Sequence, residues 1–209
     1  MASSIIHIAV ANEINKELKK DEYQLLLGSI APDISKQIGD SKEKSHFQND
    51  NEDSIPNINK FLKLYKQYLD DDFVLGYYIH LYTDYLWFKY FIPEIIKYDI
   101  LTTLEGEKIK INPKEKIEYI YNDYSNLNKQ LIEKYNLNID LFNKKIPKIK
   151  NIIKEIPIDK INLLVDKTLY IIENSKNKKN VVFDIKNIEQ FIGISKELIL
   201  SNINQMKKS

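Results

Sequence analysis

Cysteine is absent from the 209 residues of this chain. The absence excludes disulfide frameworks, thiolate nucleophiles and zinc sites built on cysteine. A metal ion bound by this protein would therefore use histidine, aspartate or glutamate as ligands.

Glycine and proline are also scarce, with 5 and 6 residues respectively. This composition disfavours a β protein with many turns and suits long helices with polar faces. The chain also has no large excess of either charge. It contains 31 Lys and Arg residues and 30 Asp and Glu residues, which gives a formal net charge of +1. The two signs are interspersed along the chain, which argues against a nucleic-acid-binding module.

The sequence contains no stretch typical of a secretory leader or a transmembrane segment. The opening MASSIIHIAVANEINKELKK has neither a basic start nor an uninterrupted apolar run, so we expect a cytoplasmic protein. The longest strongly apolar stretch, 73–96, carries four ionisable side chains, His80, Asp84, Lys89 and Glu94. So many ionisable groups are not tolerated in lipid, and the stretch predicts a buried helix instead.

Periodicity and helix-boundary signals predict one all-α domain over residues 1–209, built as a multi-helix bundle. The first helix is expected to begin with Ser3 or Ser4 as N-cap and to end near Lys20, and a second to follow Pro56. A central helix is expected from about Asp71 to Tyr98, enclosed by the others. After Pro113 the pattern predicts three or four amphipathic helices, with breaks near Asn136, near Pro157 and over 177–180, and with Asp184 as an N-cap of the last helix.

Two stretches fall outside these predicted helices. The segment 28–54 starts at Gly28 and is rich in turn-forming residues, so we expect a long loop, a feature that in compact domains is usually functional or disordered. The segment 99–111 has β-branched residues on both sides of Glu105 and Gly106, which fits either a small hairpin or an extended connector.

The three histidines, His7, His46 and His80, all lie in the first part of the chain. His80 and Asp84 are four residues apart on a predicted helix, so both side chains project from one face and are close enough to share a metal ion. The alternative is that a buried histidine hydrogen-bonds a buried aspartate with no metal ion involved, which also explains this pair. Asp33 follows Pro32 in a tight apolar turn, and three histidines with two aspartates suffice for one zinc site or for two that share a carboxylate.

The order of these motifs carries a resemblance. His7, then GSIAPD ending at Asp33, then SHF around His46, then GYYIHLYTDYLW with His80 and Asp84, resembles the zinc-dependent phospholipase C family, which is related to the fungal single-strand-specific zinc nucleases. The match covers roughly the first 90 residues and depends on the ordered set. It implies an all-helical bundle of the phospholipase C and zinc nuclease type that hydrolyses phosphate esters with bound zinc.

The resemblance also implies ligand assignments. Asp33, His46, His80 and Asp84 would hold one zinc ion, and Asp84 would bridge to a second ion bound by His7 and the amine of the N-terminus, exposed at Ala2 by removal of Met1. The family's third site uses a histidine where this chain has Tyr90, and later histidines that this chain lacks, so we expect that site to be missing.

The remaining site assignments concern proton transfer and supporting residues. We expect Asp33 to accept a proton from the attacking water. Lys36, Lys42, Lys44 and Lys89 fit solvated surface charges, and Lys44, beside His46, is also placed to pair with a phosphate. Asp123 and Tyr90 are candidates for an extra ligand or for a hydrogen-bond partner of a ligand, and an ordinary helix surface accounts for Asp123 equally well.

The sequence therefore predicts a metal-dependent hydrolase, with a mono- or dinuclear zinc site, that acts on a small-molecule or lipid phosphate ester. Iron and manganese are alternatives to zinc. The rival hypothesis is a catalytically degenerate relative that keeps a structural metal and acts as a binding protein. The sequence gives no indication of the oligomeric state.

Overall fold

The computed structural model describes residues 1–49 and 55–208, and within them the protein is mostly helical, as predicted. Helix α1 spans Ser4–Leu18, and the side chain of Ser3 caps it by accepting a hydrogen bond from the amide of Ile6. The helix ends at Lys19, which adopts the left-handed conformation with φ 54°. Both ends therefore agree with the sequence prediction to within two residues.

The predicted long loop is wrong for the described residues 28–49. Helix α2 spans Glu22–Ile30 and passes through Gly28, and a single 3₁₀ turn, Ala31–Asp33, follows it. Two short helices come next, α3 over Ile34–Gln37 and α4 over Lys42–Ser45. Residues 50–54 of the predicted loop lie outside the described residues. Gly28 indicates a close helix contact here, because a Cβ at this position would lie 2.1 Å from the carbonyl oxygen of Phe73.

The central helix exists and is enclosed, although it is not uniform along its length. Helix α5 spans Ile58–Tyr65, and α6 spans Asp72–Leu86 after its N-cap Asp71. A π-helical turn, Trp87–Phe91, follows α6 and leads into the short helix α7, Ile92–Ile95. Helix α6 buries side chains on nearly every face, which confirms the predicted enclosure. The helical run ends at Ile95, three residues before the predicted Tyr98.

The segment after the central helix forms a small antiparallel sheet, which adds strands to a fold predicted to be all-α. Strand β1 is Ile96–Lys97, β2 is Ile100–Thr102 and β3 is Lys108–Lys110, in the order β1-β2-β3. Leu101 of β2 pairs with Ile109 of β3. The hairpin alternative is therefore confirmed, and Gly106 supplies the positive φ of 82° in the β2–β3 turn.

Three further helices complete the described fold. Helix α8 spans Pro113–Tyr135, with a capping box between Asn112 and Glu115, and it ends at the left-handed Asn136 as predicted. Helix α9 spans Ile161–Glu173 and α10 spans Ile185–Lys208. The side chain of Asp184 accepts a hydrogen bond from the amide of Asn187, which confirms the predicted cap.

Helix α1 is the centre of the arrangement, because it packs against α2, α6, α8 and α10. The elements that carry the histidines and aspartates thus converge on the core. None of the helices in the described ranges has the length and apolar character needed to cross a membrane.

Candidate metal centre

The structure brings all five predicted ligand residues together from four separate parts of the chain. His7 comes from α1, Asp33 from the turn after α2 and His46 from the residue that ends α4. His80 and Asp84 come from one face of α6. The three histidines and Asp84 are 0% exposed and Asp33 is 7% exposed, so the cluster is enclosed by the core.

Asp33, His46, His80 and Asp84 form one group of facing ligand atoms. His46 Nε2 lies 3.2 Å from His80 Nε2, 3.6 Å from Asp33 Oδ1 and 3.6 Å from Asp84 Oδ2. His80 Nε2 lies 3.7 Å from Asp84 Oδ2. Two ligands of a tetrahedral zinc ion with ordinary bond lengths lie about 3.3 to 3.4 Å apart. These four distances are close to that spacing, and two sets of three residues, Asp33 with His46 and His80, and His7 with His80 and Asp84, lie near enough together to hold a metal ion.

Hydrogen bonds outside this group set the direction of the imidazoles. His80 Nδ1 lies 2.8 Å from the carbonyl oxygen of Ser29, which can only accept, so Nδ1 donates and Nε2 keeps its lone pair toward the cluster. His46 Nδ1 lies 2.9 Å from Ser45 Oγ, which fixes the second ring. Partners of this kind orient metal-ligating histidines. These supporting contacts of Ser29 and Ser45 were not predicted from the sequence.

A second group of facing atoms surrounds the other oxygen of Asp84. Its Oδ1 lies 3.2 Å from His7 Nε2 and accepts a hydrogen bond of 2.9 Å from the amide nitrogen of Ala2. The His7 ring stacks on the His80 ring, with centroids 3.8 Å apart. Asp84 thus faces one group with each oxygen, as a bridging carboxylate would.

Several of these buried atoms have no hydrogen-bond partner among the described residues. They are both ring nitrogens of His7 and Oδ2 of Asp84. Burial of unpaired polar atoms is costly. A divalent cation would satisfy Asp84 Oδ2 and one ring nitrogen of His7, so the donor set and its geometry fit a metal ion.

Burial and neighbouring charge shift the pKa values of the cluster. Burial lowers the pKa of His80 well below 6.5 and also lowers that of His46, so both rings are neutral at pH 7. Burial alone would raise the pKa of Asp84, but its interactions with the His7 and His46 rings bring it well below 3.8. Neutral imidazoles beside ionised carboxylates are the protonation states that metal ligation requires.

Lys42, and not Lys44, is the lysine that reaches the cluster. Its Nζ lies 2.9 Å from Asp33 Oδ1, because Lys42 precedes His46 by four residues and shares its side of α4. Lys44 is exposed. The exposure of Lys44 agrees with the predicted solvated charge, and it is the ammonium of Lys42 that lowers the pKa of Asp33 against the opposing effect of burial.

A cavity of about 310 Å³ opens beside the cluster. His46, Asp84, Lys36 and Lys42 contribute polar groups to its lining, and Nζ of Lys36 lies 3.0 Å from the hydroxyl of Tyr121, another lining residue. Its apolar wall consists of Trp87, Phe88, Ile92, Ile117 and Ile120. The cavity combines access to two ligand residues with the ammonium groups of Lys36, Lys42 and Lys116 and an apolar surface.

Asp123 and Tyr90 lie outside both groups of facing ligand atoms. The carboxylate of Asp123 accepts hydrogen bonds from the amides of Val181, Val182 and Phe183, so it anchors the segment before α10. Tyr90 is 55% exposed and packs against the ring of Tyr85. The structure therefore gives both residues surroundings different from those expected of a ligand or of its hydrogen-bond partner.

Comparison of the chain with family models, with curated proteins and with solved structures finds no significant match.

Proposed function

We propose that this chain is a metal-dependent hydrolase of phosphate esters, with zinc as the metal, built on a helical bundle of the phospholipase C and zinc nuclease type. The observation that carries the proposal is the buried cluster in which His46 Nε2 lies 3.2 to 3.6 Å from atoms of His80, Asp33 and Asp84, and His80 Nε2 lies 3.7 Å from Asp84 Oδ2. That spacing, with unpaired atoms at His7 and Asp84, is what a dinuclear site would leave when its ions are removed.

In this proposal the first ion is held by Asp33, His46, His80 and Asp84, and Asp84 also contributes to the second with His7. A chain that begins at Ala2 would add its amine, since the Ala2 nitrogen already lies 2.9 Å from Asp84 Oδ1. When bound, the ions would supply Lewis-acid polarisation of the phosphoryl group and would lower the pKa of the attacking water. This chain has Tyr90 where the resembled family has a histidine of its third metal site. The proposal is therefore for two ions and not for three.

The chain's own residues account for substrate binding. Lys42 and Lys36 would neutralise the phosphate at the mouth of the cavity, a task for which a third ion is not then required. The hydroxyl of Tyr121 holds Lys36 toward the cavity. The apolar wall that includes Phe88 and Ile117 would receive the organic part of a small-molecule or lipid ester.

Asp33 is the proposed proton acceptor, and its surroundings determine how basic it is. Burial alone would raise its pKa, but the ammonium of Lys42 brings the pKa well below its usual range. A carboxylate of such low basicity is a good ligand and a weak base. The ligand role of Asp33 therefore has more physical support than its role in proton transfer.

The second candidate function is a binding protein with a structural metal. It is favoured by one observation, that the ligand atoms of the cluster are enclosed by the core and face one another, as in closed structural sites. An enzyme needs an open position for water, which the second group provides more readily than the first.

The test is elemental analysis of the untagged protein and of two isosteric variants, Asp84→Asn and Asp123→Asn, with hydrolysis of aryl phosphodiesters and monoesters measured on the same samples. Both aspartates are fully buried, but Asp123 is not in the cluster. We expect about two metal ions per chain, lost with turnover in Asp84→Asn and kept in Asp123→Asn. Metal without turnover in the unmodified chain would favour the binding protein, and no metal would refute both functions.

A further inference from the structure

Two lysine side chains converge on one point in the cavity beside the metal cluster. Nζ of Lys36 and Nζ of Lys42 lie 2.5 Å and 2.9 Å from the same atom, Sδ of Met1. The two lysines belong to different short helices, α3 and α4, so their convergence depends on how the fold places those helices. A thioether sulfur is a weak and uncharged acceptor, and two ammonium groups that face the same space favour an anion there.

The lining of this cavity contains more positive than negative charge. A third lysine, Lys116 of α8, also lines it, and Asp84 is the one carboxylate among the described lining residues. Lys42 is paired with Asp33, at 2.9 Å, but no ion pair joins Lys36 or Lys116 to a carboxylate of the described residues. Two ammonium groups are therefore left without a counter-charge, which suits a ligand with two negative charges.

The apolar wall of the cavity comes from elements other than α3 and α4. Trp87 and Phe88 belong to the π-helical turn, Ile92 to α7 and Ile120 to α8. A ligand can thus place its charged group against Lys36 and Lys42 and one organic group against this wall. A phosphate diester has two organic groups and one negative charge, whereas a monoester has one organic group and close to two negative charges above neutral pH.

We propose that the substrate of this site is a phosphate monoester with one apolar organic group, and not a phosphate diester; this substrate class rests on the hydrolase function proposed above. Lys36 and Lys116 compensate the second negative charge of the phosphate, which a diester lacks. The apolar wall receives the organic group. Hydrolysis adds water across the P–O ester bond and releases an alcohol and inorganic phosphate.

Binding to the metal-free full chain tests this charge preference without turnover. The three ligands share a hexyl chain: hexyl phosphate is a dianion at about pH 8, whereas methyl hexyl phosphate and hexyl sulfate are monoanions. Equilibrium dialysis measures binding, and so does the fluorescence of Trp87, which is the single tryptophan of the chain and lines the cavity. We expect hexyl phosphate to bind roughly tenfold or more tightly than either monoanion, the effect of one further charge-assisted hydrogen bond.

Variants of Lys36 test which charge selects the dianion. Lys36→Met should lower the affinity for hexyl phosphate by about tenfold and that for the monoanions by less, so that the preference is lost. Lys36→Arg keeps the positive charge and should retain the preference. Lys44→Met is the matched control, because Lys44 is exposed on α4 and does not line the cavity, and this variant should bind all three ligands as the unmodified chain does.

Three results would overturn the proposed substrate class. They are a failure of dialysis to detect hexyl phosphate binding, equal affinities for the dianion and the monoanions, and a preference that persists in Lys36→Met. Because all these titrations use metal-free protein, none of them bears on the hydrolase function, which is tested by metal content and turnover.

Discussion

Asp84 has a different environment at each of its two carboxylate oxygens. Oδ1 faces His7 and the Ala2 amide, while Oδ2 faces His46 and His80 and has no hydrogen-bond partner among the described residues. An ionised carboxylate is rarely buried in this way unless it is paired or bound to a metal. At the scale of single residues, the strongest indication of a metal ion is therefore the unpaired oxygen of Asp84.

Replacing Lys42 tests how much the positive charge at the mouth of the cavity contributes to phosphodiester hydrolysis. Lys42→Met keeps much of the side-chain volume and removes the ammonium that lies 2.9 Å from Asp33. We expect kcat/KM for a phosphodiester to fall roughly 10- to 100-fold, the effect of one charge-assisted hydrogen bond, with metal content unchanged. The matched control is Lys44→Met, two residues along and exposed, which should retain full activity. Equal losses in the two variants would remove Lys42 from the site.

Replacing Asp123 tests a structural function at the same scale. Asp123→Asn removes a charged acceptor from three consecutive amides, those of Val181, Val182 and Phe183. We expect the free energy of unfolding to fall by about 2 to 3 kcal/mol. Chemical denaturation measures this change, and a variant as stable as the parent chain would contradict the anchoring function.

At the scale of elements, the site depends on how closely α2 and α6 approach. A Cβ at Gly76 would lie 2.1 Å from the carbonyl oxygen of Leu25, and one at Gly28 would lie 2.1 Å from that of Phe73. The two glycines therefore permit a backbone contact that alanine would block. The contact brings Ser29 of α2 within hydrogen-bond distance of His80, one turn beyond Gly76 on α6.

The change Gly76→Ala should separate these helices and weaken the site. We expect a loss of stability of about 1 to 3 kcal/mol or more from overpacking, and weaker metal binding because His80 loses its Ser29 partner. Gly193→Ala is the control, because Gly193 lies within α10 with nothing within 4 Å of the added Cβ. That change should stabilise the chain by about 1 kcal/mol through helix propensity. Thermal unfolding and zinc titration of both variants decide the outcome.

The same glycine shows why part of the fold could not be predicted from the sequence. Gly28 and the turn formers after it are typical of a helix end and a loop, yet the described part of this segment is mostly helical. Local signals identified the caps at Ser3, Asn136 and Asp184, which depend on neighbouring residues only. The close contact of α2 with α6 depends on residues about 50 positions away in the sequence, and a local pattern contains no information about it.

The residues of the candidate site also include some that could be predicted from the sequence and some that could not. Residue type and spacing were sufficient to select the five ligand candidates, which the structure brings together. Lys42 and Ser29 could not be selected, because one depends on the short helix α4 in a segment predicted as a loop and the other contributes only a backbone carbonyl. Donors and acceptors of the main chain carry no sequence signal at all.

At the scale of the whole molecule, the site links distant parts of the chain, since Ala2 and Asp84 are 82 positions apart. The ligand atoms meet only in the folded state, so a metal ion that binds them also stabilises the fold. Protonation of the histidines opposes both metal binding and folding. His46 and His80 have pKa values below 6.5 in the folded, metal-free chain because burial disfavours their charged forms.

The stability of the metal-free protein should therefore depend on pH in a definite direction. Below pH about 6.5 the unfolded chain binds protons at His46 and His80 that the folded chain does not, so stability falls as the pH falls. The contribution is fully present above that pH and each histidine can add a slope of up to about 1.4 kcal/mol per pH unit below it. Burial also lowers the pKa of the Met1 amine to about 5, which acts in the same direction.

Denaturant unfolding in a chelator between pH 5 and pH 8 measures this slope. We expect stability to rise from pH 5 to pH 7, and the rise to be smaller in His80→Gln, which removes one titrating ring while it retains a polar side chain. Zinc should steepen the dependence below pH 6.5, because its ligands must be deprotonated. A metal-free chain equally stable at pH 5 and pH 7 would mean that these histidines are not buried as neutral rings, and the metal centre would then lose its main physical support.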